Sequence, residues 1–391
     1  MQCIVDRKAL MEAVRVLSRL TKGNTAVPVL RCLHLKVDGR LTLTATDLEQ
    51  TARITLSATG DGGSWEGVIE AKKIGEVLTS GKSKDVTLMA LNAADGLAKD
   101  GIAKMKGVQV DAMRFNLPFD VADYPDMPIP DGVLLCLIPA KAFEAAAKLV
   151  AYCTGDILTR YSLTGVFLDV SKKSGVNLVA SDGMRMTWQH VAGAKAGMSA
   201  GILLTPKMIE TIRALAKGHD GDVEFLVKKN EDGGITTVHA RIGEASVYGC
   251  LIEGRFPDYR KIVPLGEPGG TWSVPVVALA EALAKSLPAS VRSEGGRTVW
   301  TVRLTGKKDA LEIHAKNETC EATADVEAKG QGNRDIVLNL NPKFMGEYLR
   351  SLPSTCKHVI LFLRDSHSAT IWKAEGIEGH MYLLMPFNIG V

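Results

Sequence analysis

Paired cysteines, clustered histidines, phosphate-binding loops and long apolar runs are what this sequence lacks. Its seven cysteines (Cys3, Cys32, Cys136, Cys153, Cys250, Cys320 and Cys356) are odd in number, scattered, and never spaced as CxxC. That argues against a disulfide framework and against a zinc site, and leaves reduced, mostly buried thiols as the expectation. The eight histidines are equally dispersed, with no HExxH, so no metal is implied. No GxxxxGK[ST] occurs, and the glycines of "GDGGSWEG" and "GKSKD" lack the spacing of a phosphate loop and are expected to be turns. No stretch of about 18 apolar residues is present, and an acid and two bases at positions 6 to 8 stand where a signal peptide needs apolar residues. A cytoplasmic protein without a membrane partner is therefore expected. Aromatics are only 5% of the chain and are not interleaved with the bases, which weakens any reading as a single-strand binder. Nor is there a GxSxG, a Cys/His pairing signal or a paired-carboxylate motif to name a reaction.

What is present is a repeat. "GRLTLTATDLEQTARITL", "GVNLVASDGMRMTWQHV" and "DALEIHAKNETCEATADV" share one strand, turn and strand pattern, and their turn positions Asp47, Asp182 and Asn317 lie 135 residues apart in both steps. A strand followed by a helix recurs as "GVIEAKKIGEVLTSG", "GILLTPKMIETIRALAKG" and "IVLNLNPKFMGEYLRSL", with Lys73, Lys207 and Lys343 in matching places. An amphipathic helix opens each unit: "DRKALMEAVRVLSRLT", "PAKAFEAAAKLVAY" and "PVVALAEALAKSL". Three ordered landmarks keeping one period imply three α+β domains, with half-buried antiparallel strands on one side of helices. Boundaries are expected in the proline- and glycine-rich "YPDMPIPDGV" and "VPLGEPGGTW", giving domains 1–131, 132–267 and 268–391. An acid or amide recurring at one turn is what hairpin geometry asks of Asp or Asn, so Asp182 is read as a turn residue rather than a catalytic one.

The net charge of +3 says little until it is divided. Helices are predicted over 6–22, 71–84, 139–150, 206–217, 275–288 and 342–352. These spans hold 17 of the 47 bases and only 7 of the 44 acids, leaving 30 bases against 37 acids elsewhere. Positive charge gathered on one layer is a nucleic-acid footprint, although lysine on a helix face is also an ordinary solvated surface. Arg15, Lys22, Lys72, Lys73, Lys148, Lys207, Arg213, Lys343 and Arg350 are the candidate DNA-facing bases. With no helix-turn-helix, RRM or zinc finger, the contact expected is sequence-independent attraction to phosphates.

Four phrases then carry a resemblance: "TRYSLTG", "ASDGMRM", "GRFPDYRKIVP" and "YLLMPFNIGV". They resemble TRYYLNG, ATDGHRL, GRFPDYRRVLP and YVVMPMRL of the bacterial sliding clamp family, the beta subunits of DNA polymerase III, and occur in the same order. The resemblance implies a head-to-tail dimer closing a ring of six domains, with basic helices lining the hole and sheets outside. It implies double-stranded DNA as a partner, held by topology, and polymerase subunits and a clamp loader that insert short peptides with Gln and Leu/Phe anchors. Carried over by motif, the peptide pocket is Leu163; Ser181, Gly183, Met184, Arg185 and Met186; Pro257, Lys261 and Ile262; and Leu383, Met385, Pro386 and Phe387. The strand "RFNLPF" supplies Phe115 and Leu117 as the expected dimer contacts. Departures from the family pattern are Met184 for a histidine, Ser162 for a second tyrosine, Asn388 for a base, and Asn24 for an arginine, with Lys22 as a substitute. Two other readings stay open: a clamp-like paralogue acting as inhibitor or resistance factor, and a repeat-built enzyme using Asp182, Arg185 and Arg255.

Overall fold

The computed structural model describes residues 1–21, 26–97, 102–126, 128–129, 132–156, 160–294, 297–332 and 336–387. Its six α-helices are α1 (Arg7–Leu17), α2 (Ala71–Ser80), α3 (Ala140–Val150), α4 (Pro206–Ala216), α5 (Val276–Ser286) and α6 (Pro342–Ser351). Each lies inside its predicted span. The Asp6 carboxylate opens α1 by accepting from Ala9 N at 2.8 Å, and Asn341 opens α6 by accepting from Lys343 N at 2.9 Å, with Pro342 in the first turn. Leu10, Ala13, Val14 and Leu17 form the buried stripe of α1. No described helix is long and apolar enough to cross a membrane.

The three predicted hairpin turns share one hydrogen-bond pattern. Asp47 Oδ1 accepts from the backbone N–H groups of Glu49 and Gln50, Asp182 Oδ1 from Met184 and Arg185, and Asn317 Oδ1 from Thr319 and Cys320, at 2.9 to 3.1 Å. Each turn is closed by a backbone bond from its acid or amide residue to the carbonyl three residues on. Such local bonds are why Asp and Asn recur at this point of the period. Gly183 has φ of +90°, a region that favours glycine, and Leu48 holds the same place in the first turn at +75°.

The chain divides into two compact units, Met1–Glu144 with Lys207–Leu251, and Ala145–Pro206 with Ile252–Val391. In the first, a sheet runs in the order 133–139, 222–229, 235–242, 245–250, 50–57, 40–46, 32–37, 65–70, 103–110, 85–97, 2–6. Strand 113–116 pairs with 103–110, and all the pairings are antiparallel except 65–70 with 103–110. The pairing of Ala52 with Val247 joins strands from the first and second predicted repeats into one ladder. α1 packs on strands 40–46 and 50–57.

In the second unit, one sheet runs 200–204, 166–171, 175–181, 185–190, 380–384, 370–374, 358–363, 270–275, 329–332. A second sheet runs 321–327, 310–316, 302–306, 337–340. Here Arg185 pairs with Leu384 and Gln189 with His380, again joining strands from two repeats. The core below α6 is aromatic: Tyr348 stacks on Tyr382 at 4.4 Å, and Trp372 meets both edge-on. All seven cysteines are unbonded; Cys3, Cys32, Cys136, Cys153 and Cys356 are buried and Cys250 and Cys320 exposed, as the scattered spacing predicts.

Candidate peptide pocket and basic helices

The residues expected to form the pocket converge from four separated stretches, all within the second unit. Leu163, Met186 and Leu383 are buried together with Phe256 and Tyr259 in one apolar cluster. Met186 faces Leu383 across the ladder of strands 185–190 and 380–384. Beyond the end of that ladder Met385 N donates to Met184 O at 2.9 Å, so the two methionines are neighbours at its mouth. Met184 and Met385 are 40% and 38% exposed, against 3% for Met186 and Leu383. Ser181 holds the turn, its hydroxyl donating to Arg185 O at 2.8 Å and accepting from Gly183 N at 3.1 Å. A β-carbon at Gly183 would meet the Leu163 methyl at 4.0 Å, an ordinary contact, so it is the positive φ and not crowding that favours glycine here.

The "GRFPDYRKIVP" segment is fixed by its aromatics. Phe256 stacks on Phe167 at 4.9 Å, Tyr259 meets Trp188 edge-on at 5.3 Å, and the Tyr259 hydroxyl donates to Asp169 at 2.8 Å. With Phe256 and Tyr259 turned inward, Lys261 and Ile262 are left exposed and Pro257 half-buried. Lys261 is occupied by an ion pair to Asp258 at 3.1 Å. Pro386 is buried, and Phe387 is anchored by its N–H to Asn339 O at 2.7 Å. Asn388, the last departure from the family pattern, lies outside the described residues, as do Asn24 and Lys22.

Arg185 is the most constrained member. Its guanidinium donates to Asp182 Oδ2 at 2.8 Å, Glu347 Oε2 at 2.6 Å and Tyr152 O at 3.4 Å, and lies 4.0 Å over the Phe344 ring. Burial works against its charge, but the nearby Cys153 and Tyr382, followed by the hydrogen bonds to Asp182 and Glu347, outweigh it and the pKa is pushed above the ordinary arginine range. Phe344, Glu347 and Tyr152 are missed by the motif comparison because they belong to none of the four phrases. The helical spacing of "NPKFMGEYLRSL" puts Phe344 and Glu347 on one face, yet nothing in the pattern says which strand end that face meets.

The basic helices are less bare than a count suggests. With the observed helix ends, the six helices hold 12 bases and 6 acids, since Arg19, Lys22, Lys82, Lys84 and Lys217 fall beyond them. Arg7 points inward to Asp111 and Ser83 O and is no surface charge. Arg15 pairs with Glu12, Lys72 with Glu76, Lys73 with Glu70, Arg213 with Glu210 and Glu144, and Lys207 with Asp47. Lys343 sits over the Trp300 ring, and Lys148 and Arg350 are exposed. Exposed pairs of this kind are worth under about 1 kcal/mol, so a phosphate can displace the acid at little cost.

At the expected dimer strand, Phe115 is half-buried and Leu117 turns back onto its own chain, its methyl lying over Gly67.

A family model of the DNA polymerase III beta subunit, N-terminal domain, matches residues 1–128. The chain is 24% identical over 392 residues to the beta sliding clamp of Salmonella typhimurium and 25% identical over 399 residues to that of Proteus mirabilis, each alignment covering 100% of both chains. Likeness to proteins named beta sliding clamp thus extends over the whole chain. Its fold agrees: the Pseudomonas aeruginosa sliding clamp bound to griselimycin superposes with a TM-score of 0.83 at 21% identity over 100% of both chains. The Thermotoga maritima beta subunit gives 0.82 at 19% identity over 99% of both. These relatives are named as clamps and polymerase subunits, which does not favour the repeat-built enzyme reading.

Proposed function

We propose that the chain is a DNA sliding clamp, a processivity factor that encircles duplex DNA and tethers replication proteins through the pocket around Met184 and Met385. The observation that carries this is likeness to beta sliding clamps over the whole chain, in sequence and in fold alike. Ring closure follows from the strand ladders. The strand that leaves each repeat's hairpin turn is 50–57, 185–190 or 321–327; the first two are paired with strands 245–250 and 380–384 late in the following repeat. Among the described residues, strand 321–327 borders only 310–316, and its counterpart 113–116 borders only 103–110. An open edge is a template for pairing, and pairing of these two edges between copies would close the ring. The edge carrying Glu321, Asp325 and Glu327 meets one carrying Arg114, which also favours that match.

DNA would be held by topology, with helix bases giving weak, transient phosphate contacts that leave sliding unhindered. The three-domain division at 1–131, 132–267 and 268–391 and a cytoplasmic location complete the reading. A topological test decides it. The clamp, loaded on nicked circular duplex by an ATP-driven loader, is expected to co-elute with the circle and to be lost when a restriction enzyme linearises it. Retention that survives linearisation would show ordinary binding and refute encirclement.

A further inference from the structure

Glu347 lies on α6 four residues after Lys343 and three before Arg350, so all three share one stripe of the helix. The two bases are exposed, and the Glu347 side chain is 37% exposed. Yet its carboxylate reaches Arg185, whose own side chain is only 6% exposed, at 2.6 Å. Arg185 in turn is flanked in sequence by Met184 and Met186 and pairs through its backbone with Leu384, next to Met385. α6 is also tied to the neighbouring strand 380–384, which pairs with 185–190, through the Tyr382 hydroxyl donating to Phe344 O at 3.2 Å. A guanidinium so far from water needs its charge offset on more than one side, and Asp182 covers only one.

We propose that Glu347 is a positioning residue for the peptide pocket: from the basic stripe of α6 it holds the Arg185 guanidinium, and with it the Met184–Met186 wall. This rests on the clamp reading above. Two effects of opposite sign follow from one carboxylate. Toward the pocket it orients Arg185, so removing its charge loosens the wall. Toward DNA it is the one acid on a basic stripe, so removing its charge strengthens attraction to phosphate.

The test uses full-length dimer and a short peptide with Gln, Leu and Phe anchors, titrated calorimetrically, together with the salt concentration that strips the loaded clamp from circular duplex. Glu347→Gln is expected to weaken peptide binding by about fivefold to tenfold while raising that salt concentration. Glu347→Asp keeps the charge but cannot span the distance to Arg185, so it is expected to weaken the peptide without the gain on DNA. In a double-mutant cycle with Arg185→Lys, the losses of Glu347→Gln and Arg185→Lys should overlap rather than add. Failure of the wild type to bind the peptide at all would count against the clamp reading itself. Wild-type binding with Glu347→Gln within twofold of it, or a loss in both readouts, would overturn only the role given to Glu347.

Discussion

Truncating the two methionines at the mouth of the pocket separates a recognition surface from ordinary core. Met184 and Met385 are 40% and 38% exposed, whereas Met186 beside them is 3% exposed. The exposed part amounts to roughly 75 Å² at each, worth about 2 kcal/mol at ~25 cal/mol per Å² if a peptide covers it completely. Alanine keeps the β-carbon, so Met184→Ala or Met385→Ala should lose about 1.2 kcal/mol, roughly eightfold in Kd. The double variant should lose somewhat less than the product, about 40-fold, because the two residues touch and share one partner. Folding should hardly notice, since both side chains are partly in water and the bond from Met385 N to Met184 O uses only backbone atoms. Calorimetric titration with a short Gln/Leu/Phe peptide reads the affinities, and a melting curve checks the fold. A folded double variant that binds within threefold of wild type would refute the pocket as drawn.

Phe115→Asp puts a charge on the edge proposed to meet strand 321–327 and should turn the dimer into a monomer in sedimentation equilibrium; an intact dimer would remove that edge from the interface. Leu117→Ala should instead lower the melting temperature, because Leu117 packs on Gly67 of its own chain. Reversing Lys148 and Arg350 to Glu should shorten residence on circular DNA about tenfold at ~0.05 M salt, with the difference fading by ~0.3 M; equal residence at low salt would clear both of phosphate contact. His380 is 4% exposed, and burial pushes its imidazole down to about 4. Unfolded, it titrates near 6.5, so between those values the unfolded chain binds more protons than the folded one. Its contribution to stability is whole above about pH 6.5 and falls by about 3 kcal/mol as the pH drops toward 4. Melting of His380→Gln should therefore depend less on pH across that window, and parallel curves for variant and wild type would sink the assignment.

Much of this was legible before any coordinates, because its causes are local. Apolar residues at spacings of three and four place all six helices, and the Asp/Asn period finds three turns of one hydrogen-bond pattern. Quoted phrases bring Leu163, Met186 and Leu383 into one cluster. The misses have long-range causes. Arg7 looks like one more surface base, and only the loop carrying Ser83 and the distant Asp111 turn it inward. Helix bases look free until Glu12, Glu70, Glu76 and Glu210 fold over them. Glu347 belongs to none of the four phrases that carry the family resemblance, and its partner lies 162 positions away.

The turn residue itself shows where local and long-range causes divide. One oxygen of Asp47, Asp182 and Asn317 does the same work in all three repeats, taking the two backbone N–H groups that close the hairpin. That duty is what holds the period, and sequence reveals it. The remaining side-chain atom is not bound by the fold and has taken a different partner each time. Asp47 Oδ2 accepts from Lys207, Asp182 Oδ2 from Arg185, and the Asn317 amide donates to Pro288 O. In the first repeat the spare oxygen tethers a base of α4; in the second it helps hold the pocket's arginine; in the third, as an amide, it carries no charge and braces the turn after α5. A repeat that must keep its turn can therefore still acquire a further role there, which is how a structural aspartate and the proposed peptide wall come to share the same four residues, Asp182 to Arg185.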